Sequence, residues 1–200
     1  MLLNSKKSSM ITTEEAITIH RATATDAAVL AELGRRTMRQ TYGASFAIKE
    51  IDHVAEQRFN LKRLTAELAN PQVLYLMATV NQQPCGYAKL EPTSTPDAIP
   101  GLHPLELVHL YVDSQWIGRG AGAKLMQTAL EFATSNGFAT CWLRVLESNN
   151  RAISFYRRWG FVEVGIERYP AGETSVPVLL MLRRSADAAT EYATPSVVTP

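Results

Sequence analysis

The chain is poor in the residues that mark several functional classes. Its 200 residues include two cysteines, Cys85 and Cys141, each inside an apolar run and far from any Cys-x-x-Cys or Cys/His spacing. A disulfide framework and a zinc site are not indicated, no other metal is expected, and a reducing cytoplasm fits. Nowhere do the roughly 18 consecutive apolar residues of a membrane span occur, and no apolar run follows Lys6 and Lys7. Neither insertion nor export is expected. An excess of one charge is also missing: 20 Lys and Arg stand against 19 Asp and Glu, and no basic stripe alternates with aromatics. That gives no general attraction for nucleic acid. No internal repeat is apparent.

What is present suits one core. With 46% hydrophobic residues and no shift in composition, a single domain over residues 16–184 is expected. It is preceded by a polar, flexible segment at 1–15. A small-residue, proline-marked tail at 185–200 follows, expected to be disordered.

Period and punctuation predict the elements. Ala16 to Ala22 alternates as a strand, and Thr25 is placed to cap a helix carrying Val29, Leu30 and Leu33. A second helical stretch is expected from Ile48 to Asn70. Gln72 to Val80 and Cys85 to Glu91 read as a hairpin around Asn81 to Pro84, followed by a loop from Pro92 to Pro104 with four prolines. Glu106 to Val112 is a strand, Ala121 to Ser135 a helix, and Ala139 to Val145 a strand. A helix at Asn149 and strands at Phe161 to Glu167 and Val176 to Arg183 complete the order.

The segment ELVHLYVDSQWIGRGAGAKLMQTALEFA, Glu106 to Ala133, joins a strand to a glycine-rich turn and a helix. Gly118, Gly120 and Gly122 alternate with Arg119 and Ala121, so the backbone can approach a ligand and aim successive N–H groups into one concavity, at the positive end of a helix. A P-loop would need Ser or Thr after Lys124, where Leu125 stands. A dinucleotide fingerprint would need a different glycine spacing. A turn that merely packs a helix on a strand would suffice if it stood alone.

Ile117 to Gly122 resembles the acetyl-CoA turn of the GNAT superfamily of N-acetyltransferases, with Ile117 where the family usually has Arg or Gln. A second segment, ESNNRAISFYRRWGF from Glu147 to Phe161, resembles the family's other signature at Glu147, Asn149, Ala152, Phe155, Tyr156, Gly160 and Phe161. Helix capping by Asn149 and a left-handed exit at Gly160 explain part of that segment without function. They do not explain both signatures in order. The resemblance implies an α/β (α+β) GNAT fold: a central mixed, mostly antiparallel twisted sheet of about seven strands, splayed at the central strands and flanked by about four helices. Thr37 to Phe46 and LELVHLYV look most like the PaiA-type polyamine acetyltransferases. Pro177 and Val178 depart from that group, which usually has an acidic residue in the last strand.

The implied activity is direct acetyl transfer from acetyl-CoA to a primary amine, a polyamine or other small amine. A peptide N-terminus or lysine is the alternative acceptor, and a non-catalytic acyl-CoA sensor is the alternative of another class. By the same resemblance, acetyl-CoA lies against Leu110, Tyr111, Val112, Ile117, Gly118, Arg119, Gly120, Ala121, Gly122, Asn149, Ala152 and Tyr156. The Leu110 amide stabilises the developing oxyanion, and the Tyr156 phenol protonates the leaving thiolate or holds it by a hydrogen bond. Arg119 and Lys124 are within reach of phosphates. Glu106 is the candidate general base, although a strand start after Pro104 explains it equally well. His109 is its rival, since imidazole titrates near neutrality. On a two-residue period the two point to opposite faces unless a bulge intervenes. Tyr42, Phe46 and Glu106 are candidate acceptor contacts, with Glu50, Asp52 and Glu56 as further acidic positions. A homodimer is compatible with the resemblance.

Overall fold

Hydrophobic spacing sets most elements of the computed structural model, which describes residues 16–101, 104–171 and 174–185. The expected termini at 1–15 and beyond 185 lie outside the described residues. Strand β1 (Ile17–Arg21) leads through a short 3-10 turn to α1 (Ala27–Tyr42). The start is fixed two residues before the expected Thr25: the Thr23 amide donates to Asp26 Oδ2 at 2.8 Å. Along α1, Leu30, Ala31, Leu33, Gly34, Thr37 and Met38 are buried at helical spacing.

The helical stretch expected from Ile48 to Asn70 is instead two helices, α2 (Ile48–Arg58) and α3 (Leu61–Ala69). Phe59 turns into the core and Asn60 caps α3, its side chain accepting from the Arg63 amide at 2.9 Å. An ideal Cβ on Gly34 would lie 2.4 Å from the Phe59 ring, so the absence of a side chain there is what admits Phe59 against α1.

Strands β2 (Leu74–Val80) and β3 (Gln83–Pro92) form a hairpin whose turn is only Asn81 and Gln82, both left-handed at φ 49° and 66°. A tight two-residue turn of this kind matches the twist of its strands, which is why pairing extends beyond the expected Cys85. Then come β4 (Leu105–Val112), α4 (Ala121–Ser135), β5 (Thr140–Leu146), α5 (Asn150–Arg158), β6 (Val162–Ala171) and β7 (Thr174–Arg184). The last two strands are longer than expected.

Among the described residues, seven strands form one sheet in the order β1-β2-β3-β4-β5-β7-β6, and five α-helices flank it. Neighbours are antiparallel except β4 and β5. One face packs on α4 and α5 through Leu76, Leu90, Leu107, Leu125 and Met126. The other packs on α1, α2 and α3 through Leu30, Leu33, Phe59, Met77 and Tyr87. Ile99, in the proline loop, joins Trp142, Leu180 and Leu182 in a third cluster. The fold is thus the mostly antiparallel mixed sheet expected, with one helix more because Asn60 divides the second stretch.

Candidate active site

Two departures from regular pairing open the site. The first is a bulge: Leu107 pairs with Leu90 and His109 with Lys89, leaving Val108 as an extra residue in β4. Cross-strand partners share a face. Glu106, opposite Glu91, and His109, opposite Lys89, therefore face the same side, since Lys89 and Glu91 are two apart on β3. The two-residue period, which set them on opposite faces, is corrected by Val108. The second departure is a splay: Leu105 and Glu106 pair with Cys141 and Trp142, and among the described residues no pairing joins β4 and β5 beyond them. A cavity of about 980 Å³ follows that gap, with Glu106 at one end of β4 and the glycine turn beyond the other.

At the turn, the geometry is made by backbone. Asp113 is buried, its Oδ2 accepting from Arg36 Nε at 2.6 Å and its Oδ1 from the Gln115 amide at 3.2 Å. Gln40 Oε1 accepts the Ser114 amide at 3.0 Å, so α1 grips the approach to the turn. Burial would raise the Asp113 carboxyl, but its hydrogen bonds, Arg36 first, outweigh that and hold it below its ordinary value. Gly118 and Gly120 take φ +81° and +93°, a region open to glycine, and Gly120 is the N-cap of α4. Among the described residues, the amides of Gly118, Gly120, Ala121, Gly122 and Ala123 donate to no protein acceptor. Five donors at the positive end of a 15-residue helix fit a pyrophosphate.

The opposite wall is α5. Asn149 caps it, accepting from the Ala152 amide at 3.1 Å, and Asn149, Ala152, Phe155 and Tyr156 line the cavity. Tyr156 is buried, and burial pushes its phenol above the ordinary value, so it keeps its proton throughout the neutral range.

At the Glu106 end, the geometry is made by side chains. Glu106 is buried; its Oε1 accepts from Arg144 Nη1 at 2.7 Å and its Oε2 from Thr93 Oγ1 at 2.5 Å. Each oxygen keeps a lone pair. Arg144 also pairs with Glu167 and lies 4.5 Å from the Trp142 ring centre. Beside it, buried Lys89 pairs with Glu67 at 3.0 Å and Glu91 at 2.9 Å, while Tyr75 donates to Glu67 at 2.5 Å. Burial would raise Glu67, but the bonds from Tyr75 and Arg63 and the Lys89 charge hold it below the ordinary value.

The His109 ring sits among Phe59, Tyr87 and Tyr111, with centres 5.7–5.9 Å away, and its buried Nδ1 has no partner among the described residues. Desolvation, helped by the charges of Lys89 and Arg58, pushes its pKa down to about 3. The ring is therefore neutral at pH 7 and a weak proton acceptor, which counts against the rival base.

Of the sequence candidates, Tyr42, Phe46, Glu106, Leu110, Tyr111, Val112, Ile117, Gly118, Gly120, Gly122, Asn149, Ala152 and Tyr156 border the cavity. Tyr42 and Tyr111 share a 3.1 Å hydroxyl contact. Others are turned to different work. Arg119 lies over the Trp116 ring at 5.1 Å and Lys124 donates to the Ile17 carbonyl at 2.9 Å, while Ala121 packs its methyl into the core and leaves its amide unpartnered at the turn. Glu50 borders the cavity, whereas Asp52 is paired with Arg39 at 2.5 Å. Sequence reasoning missed Thr93, Arg144, Lys89 and Arg58, which reach the cavity from elements far apart in the chain. The bulge did leave a trace: the apolar alternation of Leu105, Leu107, Leu110 and Val112 slips by one at Val108.

Residues 36–161 match the acetyltransferase (GNAT) family. An uncharacterized N-acetyltransferase of Mycobacterium tuberculosis is 30% identical over 148 residues, 74% of this chain and 90% of that protein. The fold is similar to the PaiA N-acetyltransferase of Thermoplasma acidophilum in complex with coenzyme A, with a TM-score of 0.70 at 21% identity, over 85% of this chain and 99% of that one. It is also similar to the ribosomal-protein-S18-alanine N-acetyltransferase of Escherichia coli, with a TM-score of 0.62 at 21% identity, over 84% and 94%.

Proposed function

The chain belongs to the GNAT family of acetyltransferases, and from that premise we propose that it transfers the acetyl group of acetyl-CoA directly to a small primary amine. The observation that carries this reading is the splay of β4 from β5, which runs one continuous cavity from five unpartnered amides to Glu106. The amides of Gly118, Gly120, Ala121, Gly122 and Ala123 hold the pyrophosphate, and Asn149 and Ala152 border the pantetheine arm.

An amine with a pKa of about 10.4 is the free base in only on the order of one molecule in a thousand at neutral pH. Glu106 accepts the surplus proton, directly or through a water, on the lone pairs that Arg144 and Thr93 leave. The amine nitrogen then bonds to the thioester carbon, and the Leu110 amide donates to the oxygen that gains charge. As the carbon–sulfur bond breaks, the Tyr156 hydroxyl donates to the departing sulfur. Full transfer of that proton to a thiolate, whose conjugate acid has a pKa of about 8.5, is uphill from a phenol raised by burial. Tyr156 therefore acts chiefly as a hydrogen-bond donor. Cys85 and Cys141 are buried, and burial raises both thiols, so a covalent acetyl-cysteine route is disfavoured.

The test is release of CoA thiol from acetyl-CoA with the full chain across polyamines, aminoglycosides, amino acids and short peptides, against a protein-only blank. Turnover with a small amine supports the reading, and polyamine turnover would add the PaiA-like substrate class. Turnover with peptides alone would replace the acceptor by a peptide amine. Tight acetyl-CoA binding without turnover on any amine would instead support a sensor.

A further inference from the structure

The acceptor end of the cavity is not built for a polycation. Its carboxylates are already engaged: Glu67 and Glu91 with Lys89, and Glu106 with Arg144, which Glu167 holds from outside the cavity wall. Glu50, exposed on α2, is the remaining carboxylate on the cavity wall among the described residues. A polyamine entering here would meet cations whose partners it would have to displace.

Arg58 stands in the opposite condition. It is half-buried, borders the cavity, and makes no ion pair or hydrogen bond among the described residues. Its guanidinium carbon lies 5.9 Å from the Tyr169 ring centre, the same distance at which Arg144, the partner of Glu106, approaches that ring. Arg58 is therefore at the catalytic end. Glu106 to Val112 spans about 20 Å of strand, which separates it from the glycine turn and the pyrophosphate. A place in the last turn of α2 suits a cation by itself. It does not account for a guanidinium turned over a tyrosine into the cavity without an anion.

We propose that the acceptor carries an anionic oxygen group, a carboxylate, beside its amine, and that Arg58 binds it against Tyr169. The planar guanidinium fork fits such a group in two parallel hydrogen bonds. Tyr42, Phe46 and Tyr111 supply an aromatic wall for the rest of the molecule. The acceptor class is thus an amino acid or short acidic amine rather than a polyamine. The inference rests on the acetyltransferase reading and narrows its substrate.

The experiment compares kcat/KM for aromatic and aliphatic amino acids with that for their decarboxylated amines, and adds phosphoethanolamine as the phosphate-bearing arm. Wild-type protein should favour the anionic member of a pair by roughly 10- to 100-fold, chiefly through KM. In Arg58→Gln that ratio should collapse toward one, and Arg58→Lys should keep part of it. Preference for phosphoethanolamine over the amino acids would make the anion a phosphate and retain Arg58 as its site. Equal use of acids and parent amines, preference for polyamines, or an unchanged ratio in Arg58→Gln overturns the proposal.

If no amine is acetylated, the acetyl-transfer reading fails separately, and calorimetry still decides this one. CoA-loaded wild-type protein should bind N-acetyl amino acids and not their amides, and the difference should vanish in Arg58→Gln. Equal binding of acid and amide, or of neither, would overturn it.

Discussion

The two ends of the cavity are built from different materials. At the glycine turn a ligand would meet main-chain amides, fixed by two left-handed glycines and a helix start. At the Glu106 end it would meet charged and polar side chains, each held by a partner on another element: Arg144 from β5, Thr93 from the proline loop, Lys89 from β3 and Glu67 from α3. A backbone site accepts one kind of ligand and changes little with side-chain substitution. A site of paired charges is changed by any one substitution, because each leaves a partner behind in a poorly solvated place. The comparison teaches where a shared chemistry and a private specificity can reside in one cavity.

The largest expected effect comes from breaking the side-chain end at Glu106, the proposed base. Glu106→Gln keeps the shape and one acceptor oxygen for Arg144 but removes the charge and the proposed base, and should lower kcat by about 10²- to 10⁴-fold in steady-state assays. Next is Lys89→Met, which takes the buried cation away from Glu67 and Glu91, both half-buried, and leaves Arg63 as the remaining cationic partner of Glu67. It should cost about 1–3 kcal/mol in urea unfolding, since each carboxylate loses a charged hydrogen-bond partner in a poorly solvated place.

A smaller effect should come from the backbone end. An added Cβ on Gly120 finds room, 3.7 Å from Ile17 Cδ1, so Gly120→Ala meets only the backbone penalty of φ +93°. That penalty of about 1–2 kcal/mol corresponds to roughly a tenfold loss where ligand binding requires the turn.

The last concerns pH. The His109 pKa is lowered from 6.5 to about 3 by folding, so between those values the unfolded chain binds more protons there than the folded one. Stability contributed by the neutral ring is complete above pH 6.5 and declines as pH falls through that window. Glu67 and Asp113, also depressed by folding, add their losses only near and below 4.5 and 3.8. The melting temperature of His109→Phe should therefore fall less than that of wild type between pH 6.5 and 4.5.

The same contrast explains what was legible in the sequence. Gly118, Gly120 and Asn149 act through their own backbone or their immediate neighbours, and a linear pattern records such residues. The element order was also readable, because hydrophobic period and turn residues are local. The divided helix was missed although Asn60 is a capping residue, since Phe59 continues an apolar pattern across the break. Arg144 and Arg58 were missed because their meaning lies in contacts across the sheet. The facing of His109 depended on one extra residue, Val108, that a strict period cannot anticipate.

The most direct test of this division is a calorimetric titration of acetyl-CoA into wild type, Gly120→Ala and Glu106→Gln under one condition. The account predicts that Gly120→Ala weakens binding by roughly tenfold while Glu106→Gln binds as wild type does. Undiminished binding in Gly120→Ala, or an equal loss in Glu106→Gln, would contradict it.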